Sequence, residues 1–220
     1  MTLKIYGVLR SRASRNVWLA KEMGIAFEHV PVIQAYRLAD SAAPGAPFNT
    51  ASAEYRAVNP NGLIPSMDDD GLILHESLAI NLYLAKKYGG PLAPRDLREE
   101  GLMTMWALWA MTECEPYTIQ ILYHRKGAAE TEQDKTIADT AVAGVKRPFG
   151  VLEKALRDGG GYVVGHRFTV ADVNLAEVFR YAQPATDLFD ANPHVKAWLE
   201  ACQARPAFKA MMAARNAEPA

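Results

Sequence analysis

The chain has 220 residues, half of them apolar and 22% charged, which allows two compact domains and excludes both a disordered chain and a membrane-spanning run. Lys and Arg number 24 against 25 Asp and Glu, so nucleic acid and anionic membrane are not expected as partners and a small, nearly neutral ligand fits better. Cys114 and Cys202 lie too far apart for a CxxC site and read as buried free thiols in a reducing compartment; MTLKIYGVL is too short and polar for a signal peptide, so the expected location is cytoplasmic.

Leu3, Ile5 and Tyr6, with the β-favouring run to Leu9, predict a first strand. RSRAS then supplies a loop and helix cap, and residues 16–23 predict a helix ended by Gly24. AFEHVPVI predicts a second strand, which completes a βαβ unit and calls for a parallel pair. Residues 35–50, rich in Ala, Pro and Ser, read as an irregular, solvent-exposed excursion of unusual length. A short helix over 51–57 ends at the turn NPNG, and LIPSM and LILH flanking DDDG predict a hairpin with an acidic turn. Residues 76–88 space their apolar side chains as a helix with a broad buried face, which GGPLAP breaks.

From Leu97 onward strand signals almost vanish, and helices are predicted over 97–125, 133–158, 170–183, 193–204 and 206–215. The chain is therefore expected to divide into an α/β domain over 1–90, a linker over 91–97 and an all-helical domain over 98–220. Thr169 and Asp172 in FTVAD form a capping box, which satisfies donors at a helix start and is a folding element, not a catalytic carboxylate. His29, His75, His124, His166 and His194 share no ligand spacing, so no metal site is expected, and GGGYVVG lacks the dinucleotide fingerprint and reads as a turn.

The order β-α-β-α-β-β-α with Pro65 just before the third strand is the layout of a thioredoxin-like fold. With NPNGLIP, HES at the head of the third helix and GHRFTVAD in the second domain, the chain resembles the cytosolic glutathione transferases, and its stretch IYGVLRSRASRNV resembles the bacterial serine-type, theta- and zeta-like members. The resemblance implies a cis bond at Ile64–Pro65 that turns the Ile64 backbone N–H and C=O toward the cysteinyl backbone of glutathione; by itself the dipeptide is equally an ordinary trans proline opening an edge strand. It implies that Ser77 and the neighbouring backbone N–H groups take the γ-glutamyl carboxylate while Glu76 takes the ammonium, where the residues alone permit a plain cap. Arg15 matches the theta pattern as a further glutathione contact. Leu63 stands where many members carry a polar residue for the glycyl carboxylate, a role that must then pass elsewhere.

Ser11 occupies the place of the catalytic serine. A thiol of pKa about 8.5 is only about 3% thiolate at pH 7, so a donor to the sulfur is needed, and a helix N-terminus with Arg10, Arg12 and Arg15 nearby acts in the same direction. Tyr6, at the place of the tyrosine-type donors, and a backbone N–H or Ser14 remain alternatives. The loop holds no cysteine, which disfavours thiol transfer, and Ser11-Arg12-Ala13 departs from the Ser-Ser-Cys of zeta-type maleylacetoacetate isomerases. Met103, Trp106, Trp109, Ala110, Glu113 and Tyr117 form a stripe that reads as interhelical core; the resemblance makes Trp106, Trp109, Glu113 and Tyr117 candidates for a hydrophobic substrate pocket contributed by the helical domain.

The expected activity is addition of glutathione, as thiolate, to an electrophilic, largely apolar small molecule by a homodimer. Glutathione serves as co-substrate and no cofactor is expected. The alternatives are a glutathione-dependent isomerase, dehalogenase or peroxidase, and a non-catalytic binding or regulatory protein on the same fold.

Overall fold

A computed structural model describes residues 3–218. The chain forms two compact units, one built from the residues up to Gly90 together with those from Pro206, the other from Pro91–Arg205.

In the first unit a four-stranded sheet runs in the order β2-β1-β3-β4, formed by β1 (Leu3–Tyr6), β2 (Glu28–Val30), β3 (Ser66–Asp69) and β4 (Leu72–His75). β1 pairs parallel with β2 and antiparallel with β3, and β3 pairs antiparallel with β4. Between β1 and β2 runs α1 (Ala13–Glu22), buried from Ala13 to Ala20 and followed by Gly24 at φ +67°. α2 (Ala53–Val58) precedes β3, and α3 (Ser77–Tyr88) follows β4, so the unit is thioredoxin-like.

Several details differ from the sequence expectations. β1 stops at Gly7, whose φ of +129° leaves the extended region, so the run to Leu9 is loop. Asp70 and Gly71, at φ +53° and +91°, alone make the hairpin turn, which places Asp68 and Asp69 in β3. Asp69 is buried and accepts from Tyr83 Oη at 2.7 Å and from Lys87; burial alone would raise its carboxyl, but these α3 partners bring it below the usual range.

Residues 35–50 are exposed only in their middle. Ile33 N–H donates to Phe48 O (3.1 Å), Thr50 N–H to Ile33 O (2.9 Å) and Ala35 N–H to Thr50 Oγ1 (2.9 Å), so the base of the segment is closed. Asn49 and Thr50 are buried there, and Phe48 packs on the cluster of Tyr6, Val32 and Tyr55. The segment is thus a tied loop, since its two apolar ends have a core to join.

The largest departure is α10 (Pro206–Ala217), expected in the helical domain but packed on α1 within the first unit. Phe208 meets Trp18 edge-to-face at 5.0 Å between ring centres, and both side chains are buried, as is Met211. A helix read by its own period does not announce which core receives its apolar face.

The second unit is helical. α4 (Leu97–Trp109), a π-helical segment (Ala110–Cys114) and α5 (Glu115–His124) form the rod expected over 97–125. Pro116 lacks an N–H and crowds the preceding turn, and the wider π turn accommodates it. α6 (Glu132–Asp158) begins with a second capping box, Thr131 and Asp134, and its Gly144 accepts the Tyr117 ring so closely that a Cβ would lie 2.4 Å from it. α7 (Val170–Phe179) is buried at every position and is followed by a 3₁₀ turn, Arg180–Ala182, where the expected helix continued. α8 (Thr186–Asp190), which the sequence reading missed, and α9 (Pro193–Ala204) complete the unit. Arg167 grips Glu99 through both carboxylate oxygens at 2.7 Å and holds that carboxyl down at about 2. Among the described residues no helix is long and apolar enough to cross a membrane.

Candidate active site

The loop between β1 and α1 is folded by its own side chains. Ser11 Oγ donates to Val8 O at 2.6 Å and accepts from Ala13 N–H at 3.0 Å, while Ser14 Oγ donates to Ser11 O at 3.0 Å. The first bond closes a turn over residues 8–11, and the second starts α1 at Ala13 rather than at the expected 16. Ser11 is partly exposed, and although the Arg12 side chain caps nothing, the first donors of α1 are taken by the loop itself, Ala13 N–H by Ser11 Oγ, Ser14 N–H by Ser11 O (3.3 Å) and Arg15 N–H by Arg12 O (3.2 Å).

Gly7 brings a second element beside this loop. A Cβ built on Gly7 would lie 3.0 Å from Ala13 Cβ and 3.1 Å from Ile64 Cβ, so the start of α1 and the segment before β3 both close over a residue without a side chain. Ile64–Pro65 is cis. Tyr55 Oη donates to Leu63 O at 2.6 Å and Asn59 Nδ2 donates to the same oxygen at 2.7 Å, while both also reach Ser66 Oγ, at 3.0 and 3.1 Å. This buried cluster uses up the Leu63 carbonyl, and the next residue, Ile64, has no backbone hydrogen bond among the described residues. The Leu63 side chain stands 65% exposed and offers no polar group.

The third element is the head of α3. Glu76, exposed, is the residue before the helix and holds φ +65°, ψ +105°, a conformation rare for a side chain with a Cβ and one that clusters at ligand sites. Ser77 follows as the first helical residue, buried, and no side-chain cap closes the helix start. Arg15 and Asn16 of α1 fix it in place: Arg15 Nη1 donates to Ser77 Oγ at 3.1 Å, and Asn16 Nδ2 donates to Ser77 O at 2.8 Å and to Asn81 Oδ1 at 2.7 Å. Arg15, Asn16 and Asn81 are fully buried. Arg15 therefore lies beneath Ser77 as a charged strut rather than on the surface, which sequence position alone could not reveal.

The first unit thus gathers Ser11, Ile64, Pro65, Glu76 and Ser77 on elements that touch through Gly7 and Arg15. Gly7, Asn16, Tyr55, Asn59 and Asn81 were not foreseen as parts of it. Of these, Asn59 lies in the NPNG turn read from the sequence, and Gly7 lies within the run read there as strand. Tyr6 is buried against Tyr55, with ring centres 6.2 Å apart, and burial pushes its phenol up.

The stripe of the helical unit divides. Met103, Trp106 and Ala110 are buried in the helical core, where Trp106 and Trp109 meet edge-to-face at 5.0 Å and Trp109 stacks on Phe179 at 6.2 Å. Glu113 pairs with Arg147, and Tyr117 lies on Gly144 with 38% of its surface exposed. Cys114 and Cys202 are buried free thiols, and burial pushes the Cys114 thiol far up. Among the described residues no three His, Cys, Asp or Glu side chains converge as metal ligands.

Two family models cover the chain: the N-terminal domain of glutathione S-transferase matches residues 5–92 and the C-terminal domain of glutathione S-transferase matches residues 105–206. Glutathione S-transferase 3 of Zea mays is 32% identical over 96% of this chain and 94% of its own. Among solved structures, glutathione transferase F7 from Populus trichocarpa superposes with a TM-score of 0.81 at 28% identity, covering 98% of this chain and all of that one. A glutathione S-transferase-I bound with lactoylglutathione gives 0.80 at 26% identity, covering 97% and 100%.

Proposed function

The chain belongs to the glutathione S-transferase family, and from that premise we propose that it transfers glutathione as a thiolate to a small apolar electrophile, with Ser11 as the donor that stabilises the sulfur. The observation that carries this reading is the convergence of the Ser11 loop, the Ile64 backbone and the open head of α3, joined by the close approach at Gly7 and the Arg15–Ser77 bond.

The tripeptide's chemistry matches those elements. The unused N–H and C=O of Ile64 suit an extended cysteinyl backbone. The uncapped start of α3, with the Ser77 hydroxyl beside it, suits the γ-glutamyl carboxylate, and the exposed Glu76 suits its ammonium. Arg15 acts through Ser77, holding the hydroxyl with a charge-assisted bond and adding positive charge beneath an anion site. The complex of a relative with lactoylglutathione supports glutathione as the ligand class. Leu63 contributes backbone and shape, not a grip on the glycyl carboxylate.

The Ser11 hydroxyl donates to Val8 O. A thiolate is the stronger acceptor, since a bond to an ion is roughly twice as strong as one between neutral partners, so the arriving sulfur draws the hydroxyl off Val8. The thiol proton passes to solvent, the sulfur lone pair forms the new bond to the electrophilic carbon, and the leaving group departs with its bonding pair. Binding both reactants together supplies proximity. Tyr6 is the weaker candidate for donor because it is packed in the sheet core.

Serine-type chemistry belongs to this proposal, whereas a specifically theta- or zeta-like affinity finds no support in the relatives described, which include plant proteins from Zea mays and Populus trichocarpa. The apolar electrophile, the homodimeric state and the cytoplasmic location are parts of the same proposal.

Ser11→Ala tests it. The thiol pKa of bound glutathione, read from thiolate absorbance against pH, rises by about 2 units and kcat falls about 100-fold, with the glutathione Kd little changed. An unchanged pKa would reject Ser11 as the donor.

A further inference from the structure

α10 ends beside the loop that carries Ser11. Its packing on α1 through Phe208 against Trp18 delivers Glu218 to residues 9 and 10, where Glu218 Oε1 accepts from Leu9 N–H at 2.7 Å and Oε2 accepts from Arg10 N–H at 3.0 Å. Arg10 Nε in turn donates to Arg215 O at 3.4 Å. One carboxylate therefore receives two consecutive backbone donors from more than 200 positions away, and the same loop is closed from within by Ser11 Oγ on Val8 O.

We propose that Glu218 is a positioning residue for the transfer reaction: by clamping the Leu9 and Arg10 amides it fixes the loop on which the Ser11 hydroxyl is presented to the glutathione sulfur. The inference rests on Ser11 as the donor. The strand side of the loop is held by Gly7 N–H on Val30 O (2.9 Å) and Val8 N–H on Val32 O (3.2 Å), and the Leu9 and Arg10 amides that follow are held by Glu218. Backbone donors held by an ion are held about twice as strongly as by a neutral group, and a reacting group displaced by about 1 Å loses on the order of 100-fold in rate. The sign of the effect is diagnostic. A carboxylate that were merely nearby would disfavour a thiolate, so its removal would lower the thiol pKa; a clamp that sets the donor predicts a rise when it is removed.

The experiment is a double-mutant cycle on the full chain with Glu218→Ala, Glu218→Gln and Ser11→Ala, reading kcat, glutathione KM and the pKa of the bound thiol. Glu218→Ala is expected to lower kcat at least about tenfold and raise the thiol pKa with KM nearly constant, within the cost of a misplaced group. Glu218→Gln, which keeps one acceptor oxygen but sets an NH2 donor against the other amide and carries no charge, recovers only part of the loss, and in the Ser11→Ala background Glu218→Ala has no further effect. Amide hydrogen exchange at Leu9 and Arg10 checks that the clamp has opened in an otherwise folded protein. A thiol pKa that falls or stays put in Glu218→Ala, or a loss that multiplies with that of Ser11→Ala, overturns the clamp while leaving Ser11 as donor. A silent Ser11→Ala removes the donor reading, and the clamp with it.

Discussion

The helix starts of α3, in the thioredoxin-like unit, and of α7, in the helical unit, share a sequence motif of one hydroxyl residue and one carboxylate, yet they are built to opposite ends. At α7, Asp172 Oδ2 accepts from Thr169 N–H (2.9 Å) and from its hydroxyl (3.1 Å), Trp198 Nε1 donates to Oδ1 (3.0 Å), and the whole cap is buried. At α3, Glu76 is exposed on a left-handed backbone, the carboxylate caps nothing, and the Ser77 hydroxyl is held from below by Arg15. One helix start commits its carboxylate to folding; the other leaves its carboxylate in solvent. The contrast turns on order, since in Thr-x-x-Asp the carboxylate can reach back to the cap, whereas in Glu-Ser it precedes the helix and cannot.

The contrast breaks if the two heads respond alike to mutation. The largest effect is expected at α7, where Asp172→Ala strands the Thr169 N–H and the Trp198 indole in a dry interior and costs about 3 kcal/mol, a cap and buried hydrogen bonds together. Urea unfolding measures it, and a loss below about 1 kcal/mol would deny the box its role in folding.

Next in size is a pH effect at the same residue. Burial raises the Asp172 carboxyl to about 6, against hydrogen bonds from Thr169 and Trp198 that act the other way. The folded pKa lies above the unfolded one, so the folded state holds this proton more tightly; the resulting stability is complete below the ordinary pKa of 3.8 and is lost as pH rises through about 6. The melting temperature of Asp172→Asn should therefore decline less than that of the native protein between about pH 4 and 6, the window those two pKa values bound. Parallel curves would refute the raised pKa.

At α3 the effect should move from stability to binding. Ser77→Ala is expected to weaken glutathione about tenfold, equivalent to about 1.4 kcal/mol, in calorimetric titration. An unchanged Kd would place the ligand elsewhere. The smallest change is reserved for Glu76→Gly, whose unfolding free energy should stay within about 1 kcal/mol of the native value because relief of the left-handed strain offsets the freedom glycine adds to the unfolded chain. A loss above about 2 kcal/mol would show that Glu76, like Asp172, is a folding residue.

Much of this was legible in the sequence because the signals were local. Gly24, the NPNG turn, the Pro65 junction and the FTVAD box each encode a backbone event within a few residues, and the elements around them formed with shifted ends. What stayed hidden depends on partners distant in the chain. Nothing in RSRASRN says that Arg15 turns inward to Ser77 while Ser11 stays at the surface, because that choice is made by α3. Nothing in the period of α10 says that its apolar face is received by Trp18, so the arrival of Glu218 at the loop was invisible as well. The short α8 was missed because so few residues carry too little periodicity to rise above the loops beside them.

Gly7 has one more consequence. Ala13 and Ile64 both lean against it, so the gap between the segment proposed to activate sulfur and the segment proposed to grip a peptide is gauged by a hydrogen atom. Any methyl group there acts as a wedge, leaving each wall intact but widening the jaw between them. Such a protein would keep its sheet and its helix heads, and lose the ability to hold one small molecule at both places at once.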